Sequence, residues 1–228
     1  MVTIITCTIR PGYFKNLLNN YKRQRWRNKE LIIILNKNSM SLRKYKRKVR
    51  KYKRVRVYKL PQRYTLGRCL NYAIRRARGN IIAKFDDDDF YGARYLRESV
   101  RAIKRGKASI VGKHTSYIYF EAKKALMLFR TGRQNKYVKR VKGGTLVFKK
   151  KVWKKVKFSN KKVAGSDARW LTNCRKKGYR IYSVSKKNYV CIRRKNTNSH
   201  TQKRSTKKYM SRCKMVKRTR NYRKYVTR

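Results

Sequence analysis

Four consecutive aspartates, Asp86–Asp89, are the residues with the clearest capacity for chemistry in this chain of 228 residues. The chain has only eight acidic residues, so this acidic run holds half of them. Adjacent carboxylates repel one another, and a divalent cation or a cationic ligand relieves the repulsion. Hard oxygen ligands suit Mg²⁺ or Mn²⁺, and either metal can bridge to a diphosphate. The alternative is a solvated acidic loop that balances nearby lysines and arginines.

The position of the acidic run in the predicted fold favours the metal. Segments with strand-like and helix-like periods alternate along the chain, which predicts an α/β fold with a sheet flanked by helices. The run directly follows the predicted fourth strand, Ile81–Phe85. Ligands of open α/β sheets bind outside the carboxyl ends of the parallel strands. Asp86 and Asp88 lie on one side of an extended chain, where one can reach a sugar hydroxyl and the other a metal.

Hydrophobic periodicity predicts the other elements. Helices are expected around residues 14–21, 66–77, 95–103 and 168–176. Further strands are expected at residues 2–6, 31–35, 55–58, 109–111, 117–120, 125–129, 145–148, 181–184 and 189–192. Antiparallel or mixed pairing is expected in the second half of the chain. A basic tail that is helical, mobile or both is expected over residues 201–228.

Composition excludes several classes of protein. Hydrophobic residues make up 40% of the chain, which is enough to fill a core and argues against disorder. No apolar run approaches the roughly 18 to 20 residues of a membrane span, so no transmembrane segment is expected. The first residues, Met1–Thr8, predict a buried strand and not a signal peptide, and a cytoplasmic location is therefore expected. The five cysteines have no zinc-site spacing, and their odd number argues against a disulfide framework, so they are expected in the core.

Five segments carry a resemblance to a known family. They are, in chain order, Thr3–Thr8, Thr65–Asn71, Asn80–Tyr91, Gly143–Thr145 and Gly165–Asp167. Together they resemble family 2 glycosyltransferases with the GT-A fold, over about residues 2–192. The resemblance implies a Rossmann-like mixed central sheet flanked by helices in a single domain of residues 1–200. Its nucleotide-binding half is expected at about 1–112 and its acceptor-side half at about 113–200, followed by the basic tail.

The resemblance also implies roles for individual residues. Asp86 and Asp88, in a DXD pattern, would hold Mn²⁺ or Mg²⁺ on the diphosphate of a UDP-sugar or a similar donor, with His200 as a further metal contact. Asp167 would be the general base that deprotonates an acceptor hydroxyl. Alternatively, Asp167 caps a helix and His200 is a surface histidine. The residues expected to bind the donor nucleotide are Thr6, Thr8, Asn36, Arg68, Asp86 and Asp87, with Arg193 and Arg194 as alternatives to Arg68 on the diphosphate.

Two departures from the family pattern bear on this assignment. Asn36-Lys37-Asn38-Ser39 stands where the family has acidic residues after its second strand, so recognition of the nucleobase is left open. Ser166 stands where an acidic residue commonly precedes the catalytic base. The sugar and the acceptor are also left open.

The charge supports a rival hypothesis, a nonspecific RNA- or DNA-binding protein without catalytic activity. The chain has 70 lysines and arginines, 18 tyrosines and a net charge of +62, so binding to nucleic acid at low salt is expected. The basic residues are spread throughout the chain and form no known recognition module. A nuclease is a weaker option, because its acids would normally come from separated parts of the chain. The charge itself is either natural or the result of engineering.

Overall fold

The computed structural model describes residues 1–161, 165–196 and 205–227. Its strands are β1 (Val2–Thr8), β2 (Lys29–Leu35), β3 (Val55–Lys59), β4 (Ile81–Lys84), β5 (Phe90–Tyr91), β6 (Ile110–Gly112), β7 (Ser116–Phe120), β8 (Ala125–Phe129), β9 (Lys136–Tyr137), β10 (Val147–Lys149), β11 (Ile181–Ser183), β12 (Tyr189–Arg193) and β13 (Cys213–Arg218). Its helices are α1 (Phe14–Arg23), α2 (Leu42–Val49), α3 (Leu66–Arg76), α4 (Tyr95–Lys104), α5 (Lys150–Lys155), α6 (Ser166–Lys176), α7 (Thr206–Met210) and α8 (Arg223–Val226).

The larger sheet is central and mixed. Its strand order is β3-β2-β1-β4-β10-β6-β11-β9. The first four strands in this order are parallel, and β10 lies antiparallel between β4 and β6. The carboxyl ends of β1 and β4 are neighbours, since Ile5 of β1 pairs with Lys84, the last residue of β4. The acidic run begins two residues after Lys84, at this edge of the sheet.

Helices cover both faces of the central sheet because its buried strands are apolar on both sides. One face packs against α1, α2 and α4, through side chains such as Ile4 and Ile33 of the sheet. The other face packs against α3, α5 and α6, through the adjacent strand residues whose side chains point the opposite way, such as Ile5 and Ile32. An α/β fold with a mixed central sheet flanked by helices in a single domain is therefore confirmed.

A second, five-stranded sheet has the order β13-β8-β7-β12-β5. Its strand β13 pairs antiparallel with β8, although the sequence predicts only a basic tail in that part of the chain. Tyr209 of α7 and Val226 of α8 are buried against opposite faces of this sheet. The described part of residues 201–228 therefore includes a strand that hydrophobic periodicity did not reveal, because the strand CKMVKR has mostly exposed side chains.

Helix α2 also lacks a counterpart among the predicted elements. Its eight residues include five cations, but Tyr45 and Val49 on one face are buried. The side chain of Ser41 caps this helix by accepting a hydrogen bond from the backbone N–H of Lys44 at 3.2 Å. The cap and the apolar spacing are both visible in the sequence, so the helix was predictable. No helix in the three described ranges is long and apolar enough to cross a membrane.

Candidate active site

The acidic run forms the loop between β4 and β5, at the carboxyl ends of the parallel strands. Asp87 and Asp89 are buried, at 2% and 4% exposure, whereas Asp86 and Asp88 are partly accessible. The run is therefore not a solvated loop, because half of it lies inside the protein, but it does balance nearby basic residues, as the alternative expected. Burying carboxylates is unfavourable unless each finds donors or cations, and the surrounding elements supply both.

A row of side-chain amides on α1 fixes the backbone of this loop. Asn16 and Asn20 share one face of α1, and Gln24, the C-cap residue directly after this helix, continues the interval of four. Asn16 donates to the carbonyl oxygens of Asp87 and Asp89 at 2.7 and 3.0 Å, and Asn20 donates to that of Asp89 at 2.8 Å. Gln24 continues the row with hydrogen bonds to the backbone after β5. These amides satisfy polar groups of an irregular buried loop, which regular secondary structure cannot do.

Buried aromatic rings pack next to the loop that holds the acidic run. The rings of Phe85 and Tyr91 stack with their centroids 3.8 Å apart, and Tyr95 and Tyr189 pack edgewise or tilted against Tyr91. The hydroxyl of Tyr91 accepts from the backbone N–H of Asp86 at 2.7 Å and donates to the carbonyl of Gly144 at 2.6 Å. The first aspartate of the run is thereby tied to the Gly143-Gly144 turn.

Lys84 joins Asp86 to Asp167. Its buried ammonium lies 2.7 Å from Oδ1 of Asp86 and 3.3 Å from Oδ2 of Asp167. Burial works against the charge of Lys84, but the two carboxylates prevail and raise its pKa. Burial raises the pKa of Asp167, although the nearby charge of Lys84 works in the opposite direction. One cation thus sets the spacing and charge of two carboxylates from distant parts of the chain.

Glycine is required where the Gly143-Gly144 turn meets these carboxylates. A Cβ atom added to Gly143 would lie 2.1 Å from Oδ2 of Asp167. A Cβ atom added to Gly144 would lie 2.5 Å from Oδ2 of Asp86. The turn therefore leaves both carboxylates room that any other residue would fill.

Asp167 lies within the first turn of α6. The helix begins at Ser166, directly after Gly165, so Asp167 is not its cap. Its Oδ1 is buried and has no hydrogen-bond partner among the described residues. An unsatisfied carboxylate oxygen of this kind is costly in a purely structural role. It has the chemistry to accept a proton or a hydrogen bond, and a bound molecule could reach it only if the side chain turns, because this oxygen is closed to solvent.

Two arginines neutralise Asp87 and Asp88. Arg10, which follows β1, binds both carboxylates, and Arg194, which follows β12, binds Asp88. Burial opposes ionisation of Asp88, but the two guanidinium groups prevail and hold its pKa below the usual value. Burial raises the pKa of Asp87 in spite of Arg10. We call Asp86–Asp88 and Asp167, with Arg10, Lys84 and Arg194, the acidic centre.

Asp89 has a different role from the other three aspartates. Its Oδ2 accepts from the hydroxyl of Tyr189 at 2.5 Å and its Oδ1 accepts from the backbone N–H of Ile192 at 3.1 Å. Burial, together with the charges of Asp88 and Asp86, raises the pKa of Asp89 to about 7. Asp89 connects the loop to β12 of the second sheet.

The structure brings only some of the other expected residues to the acidic centre. Thr8 donates to Oδ2 of Asp87 at 2.5 Å, and Thr6 is buried in β1 with no described partner for its hydroxyl. Asn36 donates to the carbonyl of Pro61 at 2.7 Å, after β2. The guanidinium of Arg68 stacks on Tyr64, 3.6 Å from the ring centroid, at an exposed position on α3. His200 lies outside the described residues.

The donor set at this edge fits a divalent cation. Asp86 and Asp88 offer oxygen ligands that solvent can reach, with side-chain exposures of 37% and 15%. Gly144 leaves space beside Oδ2 of Asp86. Oxygen ligands of this type are those that Mg²⁺ and Mn²⁺ prefer. The described residues contain no cluster of three acidic, histidine or cysteine ligands, so further ligands would have to come from elsewhere.

Sequence reasoning missed two sets of residues at this site and named a third residue only as an alternative. Lys84 and Arg10 could not be distinguished among 70 basic residues. The amide row was detectable, because Asn16 and Asn20 lie in the helix predicted over residues 14–21 and Gln24 follows at the same interval of four. Arg194 was named only as an alternative to Arg68, and the structure places Arg194, not Arg68, on the acidic run.

Comparison with known proteins decides the family. The model of the family described as glycosyl transferase family 2 matches residues 2–155, which include the acidic run and the Gly143-Gly144 turn. The chain belongs to glycosyl transferase family 2. No curated protein matches this family 2 chain in sequence.

Two solved glycosyltransferases show the same GT-A fold. S. aureus TarS 1-349 in complex with UDP-GlcNAc superposes with a TM-score of 0.65 at 17% identity, over 86% of this chain and 59% of that one. The mannosyltransferase PcManGT from Pyrobaculum calidifontis, in complex with GDP-Man and Mn²⁺, also has a TM-score of 0.65. Its identity is 15%, over 92% of this chain and 59% of that one. The family 2 chain thus spans about three fifths of the length of each.

Proposed function

We propose that the chain is a metal-dependent glycosyltransferase that moves a sugar from a nucleoside-diphosphate sugar to an acceptor hydroxyl. The observation that carries the proposal is the bridge from Asp86 through Lys84 to Asp167, at the carboxyl ends of β1 and β4. The bridge supports the proposal because it joins the carboxylate that we assign to the donor and the carboxylate that we assign as the base, in a chain of glycosyl transferase family 2. The donor side is assigned to residues 1–112 and the acceptor side to residues 113–200.

Asp167 is assigned as the general base. Its partnerless Oδ1 accepts the proton of the acceptor hydroxyl while that oxygen forms a bond to the anomeric carbon. The bond between the anomeric carbon and the diphosphate oxygen breaks, and the nucleoside diphosphate leaves with the electron pair. Burial raises the pKa of Asp167, which makes it a stronger base than an exposed aspartate. Lys84 holds its other oxygen and fixes its orientation.

Asp86 and Asp88 are assigned as the residues that hold Mn²⁺ or Mg²⁺, with His200 as a further contact. When bound, such an ion supplies positive charge that stabilises the departing diphosphate. Thr6, Thr8 and Asn36 are assigned to the nucleoside side of the site, at the ends of β1 and β2. The neighbours with bound UDP-GlcNAc and GDP-Man make uridine and guanosine diphosphates the first ligands to test.

Calorimetric titration with UDP and GDP tests the proposal. We expect one of them to bind in the presence of Mn²⁺, and binding to disappear with EDTA or with Asp88→Asn. Transfer from the matching sugar nucleotide should then be detectable as release of the nucleoside diphosphate. Equal binding with and without metal in both wild type and Asp88→Asn would contradict the metal assignment. Failure of every nucleoside diphosphate to bind would contradict the function.

The surface favours a second activity, binding of nucleic acid at low salt. All eight acidic residues are described, and only Glu121 is classed as exposed, so the surface charge is predominantly cationic. A surface with so few acids attracts phosphate polymers through counterion release. We expect the affinity for single-stranded RNA to fall about 10³-fold or more between 50 and 200 mM salt if at least six phosphates are contacted. The same affinity in Asp88→Asn would separate this activity from the acidic centre.

A further inference from the structure

Two guanidinium groups from different elements meet on one oxygen of Asp88. Nη1 of Arg10 lies 2.6 Å and Nη2 of Arg194 lies 2.9 Å from Oδ2 of this carboxylate. We call these two residues the arginine pair. Nη2 of Arg194 also donates to the backbone carbonyl of Asp88 at 3.2 Å. Oδ2 of Asp88, which we assign to the metal, therefore already contacts two cations.

Tyr13 and Asp87 hold the arginine pair in place. The ring of Tyr13 lies 5.1 Å from the guanidinium carbon of Arg10 and 4.2 Å from that of Arg194. Nε of Arg10 donates to Oδ2 of Asp87 at 3.2 Å, and Nη2 of Arg10 binds Oδ1 of the same residue. Arg10 thus keeps a partner in Asp87 whether or not Asp88 turns away. Asp87, the middle residue of the DXD pattern, therefore anchors Arg10.

A divalent cation and the arginine pair compete for the same carboxylate oxygen. Three cations around one oxygen repel one another strongly at short range in a partly buried site. The metal must therefore displace at least one guanidinium from Asp88. A displaced guanidinium needs a new anionic partner, and a diphosphate offers oxygens that match its planar donors.

We propose that the arginine pair guards Asp88 against metal while the donor is absent and transfers to the donor diphosphate when metal and donor bind together. This inference rests on the proposed function. It predicts that metal alone binds weakly and that the nucleoside diphosphate opens the metal site. Arg194 is the residue chosen for the test, because Arg10 is also bound to the buried Asp87.

Electron paramagnetic resonance titration with Mn²⁺ tests the guard without any measurement of activity. Arg194→Leu should bind Mn²⁺ alone about tenfold more tightly than wild type, within the range usual for coupled sites. The same variant should bind UDP or GDP, whichever wild type binds with Mn²⁺, about tenfold or more weakly, since it loses charged hydrogen bonds. These opposite changes in the affinities for metal and nucleotide are the signature of the guard.

Two further variants keep the test decisive. Arg194→Lys retains the charge and should give changes in the same directions but of smaller size. Arg47→Leu removes one charge from the exposed face of α2 and should leave both affinities unchanged. Arg10→Leu is less suitable, because it leaves the buried Asp87 without its ion pair.

Three results would overturn the inference. Unchanged or weaker Mn²⁺ binding by Arg194→Leu would show that Arg194 does not block the metal. Unchanged nucleotide affinity would show that it does not reach the diphosphate. Equal effects of Arg47→Leu would assign the change to the general field of the protein. If wild type binds no nucleoside diphosphate with Mn²⁺, both the proposed function and this inference fail. If wild type binds the nucleotide but Arg194→Leu leaves the affinity for Mn²⁺ unaltered, only the inference about the arginine pair fails.

Discussion

The acidic centre and the cationic exterior place charge in opposite ways. In the acidic centre, each carboxylate has a named cation within hydrogen-bond distance, and the cations come from distant parts of the chain. On the exterior, lysines and arginines follow one another along helices such as α2, with no acidic residue beside them. The free energy that a buried ion pair contributes depends on the geometry of its two groups, whereas the effect of exposed charges without an acidic partner depends on how many of them there are. Substitution of one residue should therefore matter in the first region and hardly at all in the second.

The sharpest contrast is between two acids. Asp167→Asn should lower kcat by about 10²- to 10⁴-fold, because it removes the general base. Binding of the nucleoside diphosphate, measured by calorimetry, should change little. Glu121→Gln, at the exposed acid, should leave kcat unchanged. Comparable losses in both variants would remove the distinction between the regions.

Lys84→Met tests whether one buried cation maintains the acidic centre. Removal of one partner from a fully buried ion pair costs about 3–5 kcal/mol. Because the side chains of Asp86 and Asp167 are partly exposed, the free energy of unfolding should fall by less in chemical denaturation, about 1–3 kcal/mol. The charge of Lys84 works against the raised pKa of Asp167. Without it the pKa of Asp167 rises further, and since the base must be ionised, the acidic limb of the kcat/KM profile should move to higher pH. Lys84→Arg should restore part of the stability, and an unmoved acidic limb in Lys84→Met would argue against coupling to the base.

The amide row offers a smaller effect with a matched control. Asn20→Ala removes the donor to the carbonyl of Asp89 and the acceptor of the backbone N–H of Tyr91. Each buried group left unsatisfied costs about 1–3 kcal/mol in unfolding experiments. Asn19→Ala changes the neighbouring residue, for which the described structure shows no side-chain hydrogen bond, and should be nearly neutral. Equal losses of stability in the two variants would show that the row does not fix the loop.

The weakest effect is expected on the exterior. A double substitution, Lys44→Gln with Arg47→Gln, should leave the free energy of unfolding within about 0.5 kcal/mol of wild type. Affinity for RNA should decline slightly and the salt dependence should become shallower. A large loss of stability would mean that these exposed cations have partners of their own.

The sequence predicted the parts of the molecule that repeat with a regular period. Strands such as β2 and helices such as α3 bury continuous apolar faces, and the acidic run stood out because acids are rare here. The ion pairs could not be predicted, because Arg10 and Arg194 differ from 68 other basic residues only in position. Asp167 was predicted through the family resemblance. Its ion pair with Lys84 was not, because that contact depends on the turn at Gly143, which composition does not reveal.

Two of the edge strands give the exterior charge a further consequence. β3 lies at one edge of the central sheet and carries Lys59, while β13 lies at one edge of the second sheet and carries Lys214 and Lys217. An open strand edge can recruit a second chain into a growing fibril, and lysines on the edge oppose such pairing. Because both partners of a contact between copies of either edge would bring cations together, these two edges resist aggregation.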